Sequence, residues 1–370
     1  MTATETPRPA AGSDDGWLRA ANEHEAVELL HELGCTDGLP VIVPTPERVA
    51  RMVLASGLDG DLMLAELGPA LGAATVEKIA VAAVMAGCLP DHMPLVVAAV
   101  QAVADPAFDL TEMQATTHCT APLVIVNGPL APVLGVHAGF GALGPGFRAN
   151  ASIGRALRLA MINIGGGRAG SADMSLLGHP GKFTYCLAEA EDASPWEPFH
   201  VARGFEASQT VVTVIGAEAP HSVIAIADRD VDPGGDRILN ALAACVASVS
   251  TNNAVLGGGM AVVILNPDHA ATLAQAGLSR ADVQTALHAR AANRRSVLTG
   301  QAPAMARRGD PDDLVHCFAS PDDICVLVAG GGGLYSMVMP SWCAGPHRNR
   351  AVSVAVDTDQ ACVIPGLSGG

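Results

Sequence analysis

Residues 114–129 read QATTHCTAPLVIVNGP, and residues 137–167 continue HAGFGALGPGFRANASIGRALRLAMINIGGG. The run 121–127 is apolar without alternation, which predicts a buried strand. Glycines follow it, then a stretch over 150–164 that reads as a helix and ends at Gly165-Gly166-Gly167. A strand, a glycine-rich connection and a helix in that order predict an α/β fold.

The same alternation extends along the chain. Helices are expected over 17–33, from Thr45-Pro46-Glu47, over 75–87, 93–104 and 236–250, from Asn266-Pro267-Asp268, and from Ser279. Strands are expected at 182–188, 210–216, 221–227, 260–265 and 324–329. We therefore expect two packed lobes of mixed sheet flanked by Ala-rich helices. A disordered tail is expected over residues 1–16, an N-terminal lobe with the main site over 17–208, and a C-terminal lobe over 209–370. The stretch HCTAPLVIVNGP from His118 echoes HCFASPDDICVLVAGGGG from His316, which suggests either an internal duplication or a chance likeness of common residue types.

Composition narrows the class. The chain has 370 residues and a net charge of −16, which speaks against nucleic acid and anionic membrane surfaces as partners. Aromatics make up 3%, so the core must be built from Ala, Val, Leu and Ile. No stretch makes a convincing membrane span, and the N-terminus shows no secretory signal. Nine cysteines without a CxxC pair fit a reduced, cytoplasmic protein. Cys88, Cys186, Cys245, Cys325 and Cys362 stand in apolar contexts, as core fillers do.

Candidate chemistry concentrates between residues 118 and 182. The glycines of the 139–146 loop, Gly144 and Gly146 among them, allow close backbone approach, and the helix after it offers free amides. Arg148, Asn150, Ser152 and Arg155 crowd its start, so this loop and helix are expected to bind a polar or anionic metabolite. Asn127 is a second substrate-orienting candidate. His118 and Cys119 precede the strand, where neighbouring side chains take opposite faces, so His118 does not itself activate Cys119. The turn His179-Pro180-Gly181-Lys182 presents an acid/base group and a cation, and Lys182 is one of only two lysines. Each of these also has a structural reading: a packed glycine connection, a core histidine, an inert thiol, a solvated turn. Glu189, Glu191 and His200 are further acid/base or metal-ligand candidates in a polar loop. No HExxH or CxxC spacing joins His118, His137, His179 and His200, so no metal ligands are assigned and the cofactor stays open.

The strings GCTDGLPVIVPTPERV, QATTH, LVIVNGP, ALGPGFRANASIGRA and GHPGKFTYC lie between residues 34 and 186 and carry a resemblance that extends over most of the chain. In combination they resemble a largely uncharacterised bacterial family associated with a small thiol- or selenol-bearing protein that has a glycine-reductase-like loop. The resemblance implies a two-component enzyme acting on a carbon–heteroatom bond. It carries over no catalytic assignment, and Cys119 stands where a non-nucleophile is tolerated.

The leading expectation is a lyase, or an enzyme of reductive cleavage, acting on a C–S or C–N bond of a polar or carboxylate-bearing metabolite. His118 and His179 would be acid/base groups, with Cys119 a further catalytic candidate, and Lys182 and Arg148 would offset negative charge. The other expectations are a metal-dependent hydrolase or hydratase using His118, His179 and His200, and a non-catalytic subunit that positions a partner. The Ala-rich helices lead us to expect an oligomer.

Overall fold

The computed structural model describes residues 17–226, 230, 232–302 and 308–357. The tail expected over 1–16 and Cys362 lie outside the described residues.

Among the described residues twelve strands form two four-stranded sheets and two small two-stranded pairs. In chain order they are β1 (Met63–Leu67), β2 (Gly72–Thr75), β3 (Ala121–Asn127), β4 (Cys186–Ala188), β5 (Val211–Ala217), β6 (His221–Ile224), β7 (Ala261–Leu265), β8 (Ala292–Arg294), β9 (Leu314–His316), β10 (Ile324–Val328), β11 (Tyr335–Pro340) and β12 (Val352–Ala355). The first sheet has the order β12-β5-β3-β4 and the second β10-β7-β11-β6; β1 pairs with β2, and β8 with β9.

The two large sheets pack face to face. Ala121, Leu123 and Ile125 of β3 point inward with Ile215 of β5, into a core shared with Val262, Ile264, Cys325 and Leu327 of the second sheet. Val124 and Val126 point outward into a core built with the helices Val76–Ala86, Met93–Ala104 and Arg148–Asn163. On the far side Val263, Val326 and Val338 meet the helices Asp236–Val246 and Arg280–Arg290. The result is a four-layer α/β/β/α stack. It explains the unbroken apolar runs: both faces of a central strand are covered, and burying each large aliphatic side chain contributes about 1.5–3 kcal/mol.

The sheets share one connectivity. β4 is parallel to β3 on one side, and β5 is antiparallel to β3 on the other. Likewise β10 is parallel to β7, and β11 antiparallel to it. The fourth strands are exchanged. β6 follows β5 yet pairs with β11, while β12 follows β11 yet pairs with β5. The sheets therefore do not divide at residue 208: β5 and β12 both belong with β3. The repeat also runs in a different register from the one the His-Cys echo suggested. The counterpart of β3 is β7, and β10 stands in the place of β4. Asn127 closes β3, and Asn266 directly follows β7; both are buried.

Local signals account for most elements. Thr45 caps the helix Pro46–Ser56, Asn266 caps Pro267–Gln275, and Ser279 forms a capping box with Asp282 at the start of Arg280–Arg290. Gly154 has a packing role. A Cβ there would stand 2.6 Å from the Tyr185 nitrogen and 2.7 Å from Thr184 Oγ1, where the helix crosses the approach to β4. Alanine would gain about 1 kcal/mol in helix propensity but lose about 1–3 kcal/mol to overpacking. Gly154→Ala should therefore lower the urea midpoint, and a raised midpoint would show that this crossing is loose.

Candidate functional site

Sheet topology brings four sequence-predicted residues to one end of the first sheet. His118 and Cys119 immediately precede β3, and the antiparallel partner of Ala121 is Ala217, the last residue of β5. Glu218 therefore arrives beside His118, and His118 Nε2 lies 2.8 Å from Glu218 Oε1. Because β4 runs parallel to β3, the turn that leads into it reaches the same end and carries His179 and Lys182. Lys182 Nζ donates to Asp173 Oδ2 at 2.5 Å and to Ser175 Oγ at 2.7 Å; Ser175 Oγ donates to the His118 carbonyl at 3.1 Å. Tyr185 Oη donates to the Glu218 carbonyl, and Cys119 lies near Lys182.

Arg158 projects from the buried face of the helix Arg148–Asn163, 3.8 Å from Asp173. Burial pulls the pKa of Lys182 below its ordinary value, against the hydrogen bond to Asp173. Burial would raise the pKa of Asp173, but Lys182, the Ser175 amide and Arg158 together hold it below the usual carboxylate value.

The two imidazoles differ in their contacts. The contact with Glu218 places a proton on His118 Nε2, so in the neutral ring Nδ1 is a buried lone pair with no hydrogen-bond partner. In His179 the amide of Gly181 donates to Nδ1 at 3.1 Å, so Nε2 carries the proton and is buried beside the Ala217 carbonyl. Burial, then the charge of Lys182, lower the pKa of His179 to about 4. At neutral pH His179 is thus a neutral donor.

The same neutrality makes the fold acid-sensitive. Burial and the charge of Arg148 also hold His92 at about 4, against an ordinary 6.5. In the interval between those values the unfolded chain binds more protons than the folded one. The contribution is complete above 6.5 and is lost as pH falls through 4. Urea midpoints should climb across that interval and climb less steeply in His92→Gln; equal slopes would remove His92 from the account.

A cavity of about 290 Å³ opens beside Lys182, lined among others by Thr36, Asp37, Arg158, Arg168 and Asp173. Three cations face two carboxylates there, which suits a small anion. The imidazoles do not line this cavity; Lys182 and Asp173 connect it to them. The loop that supplies Asp173 and Ser175 also exposes Leu176 and Leu177, the latter at 97%.

The expected substrate-binding set does not join this site. Arg148 Nε donates to the Gly87 carbonyl. Arg155 makes a bidentate pair with Asp37 at 2.7 and 2.8 Å and donates to the Leu39 and Pro40 carbonyls, fixing the N-terminal loop. Asn150 clamps the glycine loop through the His137 amide and the His137 and Ala142 carbonyls. Ser152 is buried near Cys88, and Gly144 and Gly146 shape a loop that Asn150 holds from behind. Arg155 and Asn150 spend their hydrogen-bonding capacity on the fold and Arg148 is turned to Gly87, so Arg148 does not share a hollow with His118 and His179.

Asn127 lies at the opposite end of β3. Its Nδ2 donates to Glu189 Oε2 at 2.7 Å and Glu191 Oε1 at 2.9 Å, and His200 Nδ1 lies 3.8 Å from Glu191. Glu189 is buried against Arg280 Nη2 at 3.0 Å, which ties the two sheets together. His137 stacks on Phe147, centroids 3.6 Å apart. His137 and His200 therefore stand apart from His118 and His179, and among the described residues no three His, Cys, Asp or Glu side chains group as metal ligands.

Sequence reasoning missed Glu218, Asp173, Arg158 and Ser175. Only Arg158 carried a signal, as a cation within a helix already singled out. Among the described residues no single helix is long and apolar enough to cross a membrane. Compared with known protein families, curated proteins and solved structures, the chain matches none of them.

Proposed function

We propose that this protein is an enzyme that cleaves a C–S or C–N bond of a small carboxylate-bearing metabolite by elimination. The observation that carries this reading is the buried Nδ1 of His118, which has no hydrogen-bond partner and is a lone pair in the neutral ring. Such groups are costly to bury without a counterpart, and a reacting substrate supplies one.

In this reading Lys182 and Arg158 hold the carboxylate from the adjacent cavity. His118 Nδ1 removes the proton next to the acid group, and Glu218 stabilises the imidazolium that forms. The His179 N–H donates to the oxygen on which charge develops; as a neutral imidazole it serves as an electrophile rather than as a proton source. The electron pair of the broken C–H bond becomes the new double bond, the C–S or C–N pair leaves with the heteroatom, and His118 returns its proton to that atom. The products are an unsaturated acid and a thiol or amine. A small thiol-bearing protein is the partner that the family resemblance implies, and the exposed Leu176 and Leu177 offer it a contact beside the site.

The test is a panel of β-thio and β-amino carboxylic acids, read by released thiol or amine and by proton exchange with solvent deuterium. His118→Asn should abolish both signals. No release and no exchange across the panel, or signals that persist in His118→Asn, would sink the reading.

A further inference from the structure

Arg158 is 7% exposed, and among the described residues its guanidinium makes no hydrogen bond. The Asp173 carboxylate stands 3.8 Å away, beyond hydrogen-bond reach, and is already held by Lys182 at 2.5 Å. A guanidinium stays charged in a protein, and burying one without hydrogen bonds is costly unless an anion meets it. Arg158 faces a place where one can: it lines the cavity of about 290 Å³ beside Lys182.

Arg168 lines the same cavity. Among the described residues it donates only from Nη1, to the Gly34 carbonyl, so Nε and Nη2 remain unspent. The charges around the cavity do not balance. Asp37 is matched by its bidentate pair with Arg155, and Asp173 by Lys182. Arg158 and Arg168 are left as two positive charges, and a single substrate carboxylate offsets one of them. Ile162 and Phe183 add apolar wall to the same cavity, which suits a short carbon chain.

We propose that the substrate of this site is a dicarboxylate. The inference deepens the elimination described above and rests on it for the part of the molecule that reacts. One carboxylate stays with Lys182 and Arg158, and the second lies against the free edge of Arg168. That edge is a two-donor fork, which one planar carboxylate fills. Arg168 is therefore the specificity-determining residue that separates dicarboxylates from monocarboxylates.

Calorimetry on the full chain with succinate and butyrate, acids of the same chain length, reads binding without turnover. Succinate should bind one-to-one, more weakly as salt rises, and about tenfold or more tightly than butyrate, as expected for one added hydrogen-bonded charge pair. Arg168→Met should remove that difference and leave butyrate binding as it was. If Arg168→Met does not fold, Arg168→Gln decides, because it keeps a donor for Gly34 while losing the charge, and the same loss is expected. No saturable heat with succinate, equal affinities for the two acids, a difference that survives the substitution at Arg168, or tighter binding of inorganic phosphate than of succinate would overturn the proposal. Neither acid carries a leaving group, so these outcomes bear on the second carboxylate, while the panel of β-thio and β-amino acids bears on the elimination.

Discussion

Arg280→Ala is expected to lower folding stability by about 3–5 kcal/mol, the usual cost of leaving one member of a buried ion pair behind. Arg280 is 6% exposed and Glu189 is 4% exposed. The guanidinium binds Glu189, the Glu197 carbonyl at 2.5 Å and the Val326 carbonyl, and it lies over the rings of Trp196 and Phe199. Glu189 also accepts from Asn127 and the Phe199 amide, so it cannot turn away to water when its cation is removed. Arg280→Met/Glu189→Leu should recover only part of the loss, because the apolar pair removes both buried charges but leaves the Asn127 amide and the Phe199 N–H without their acceptor. Urea unfolding at constant m-value reads both variants. A single-variant loss below about 1 kcal/mol would mean that water reaches Glu189.

The largest effect on activity is expected at His118. On whichever substrate the panel identifies, His118→Asn should reduce kcat by about 10²–10⁴ while KM changes little, since the imidazole acts on the proton in flight rather than on the carboxylate. Glu218→Ala should lower kcat in the same direction without touching substrate, because it frees the tautomer that leaves Nδ1 open. Lys182→Met should instead act chiefly through KM. A His118 variant that raises KM at unchanged kcat would reassign the residue to binding.

Some of this was legible in the sequence. The strand Ala121–Asn127 and the helix Met93–Ala104 lie where periodicity and flanking breakers predict them. His118, His179 and Lys182 were visible because they are close in sequence and of uncommon type. Their partners were not, because a register sets those contacts rather than a spacing: Glu218 is 100 residues from His118. β11 and β12 went unread for a related reason. The sequence YSMVMP (335–340) lacks the β-branched density of a strand and is held in place by β7 on one side and the exchanged β6 on the other. The glycine loop misled through its composition. Its residues are those of an anion site, but here they serve the clamp made by Asn150.

The reciprocal trade of β6 and β12 has a mechanical consequence. Each sheet is finished by a strand that the other half of the chain delivers, so neither half holds a complete hydrogen-bonded ladder. The molecule has no line along which it can be parted into two self-sufficient pieces. Its melting should therefore be a single event, in which the loosening of either edge strips the facing layer of its border as well.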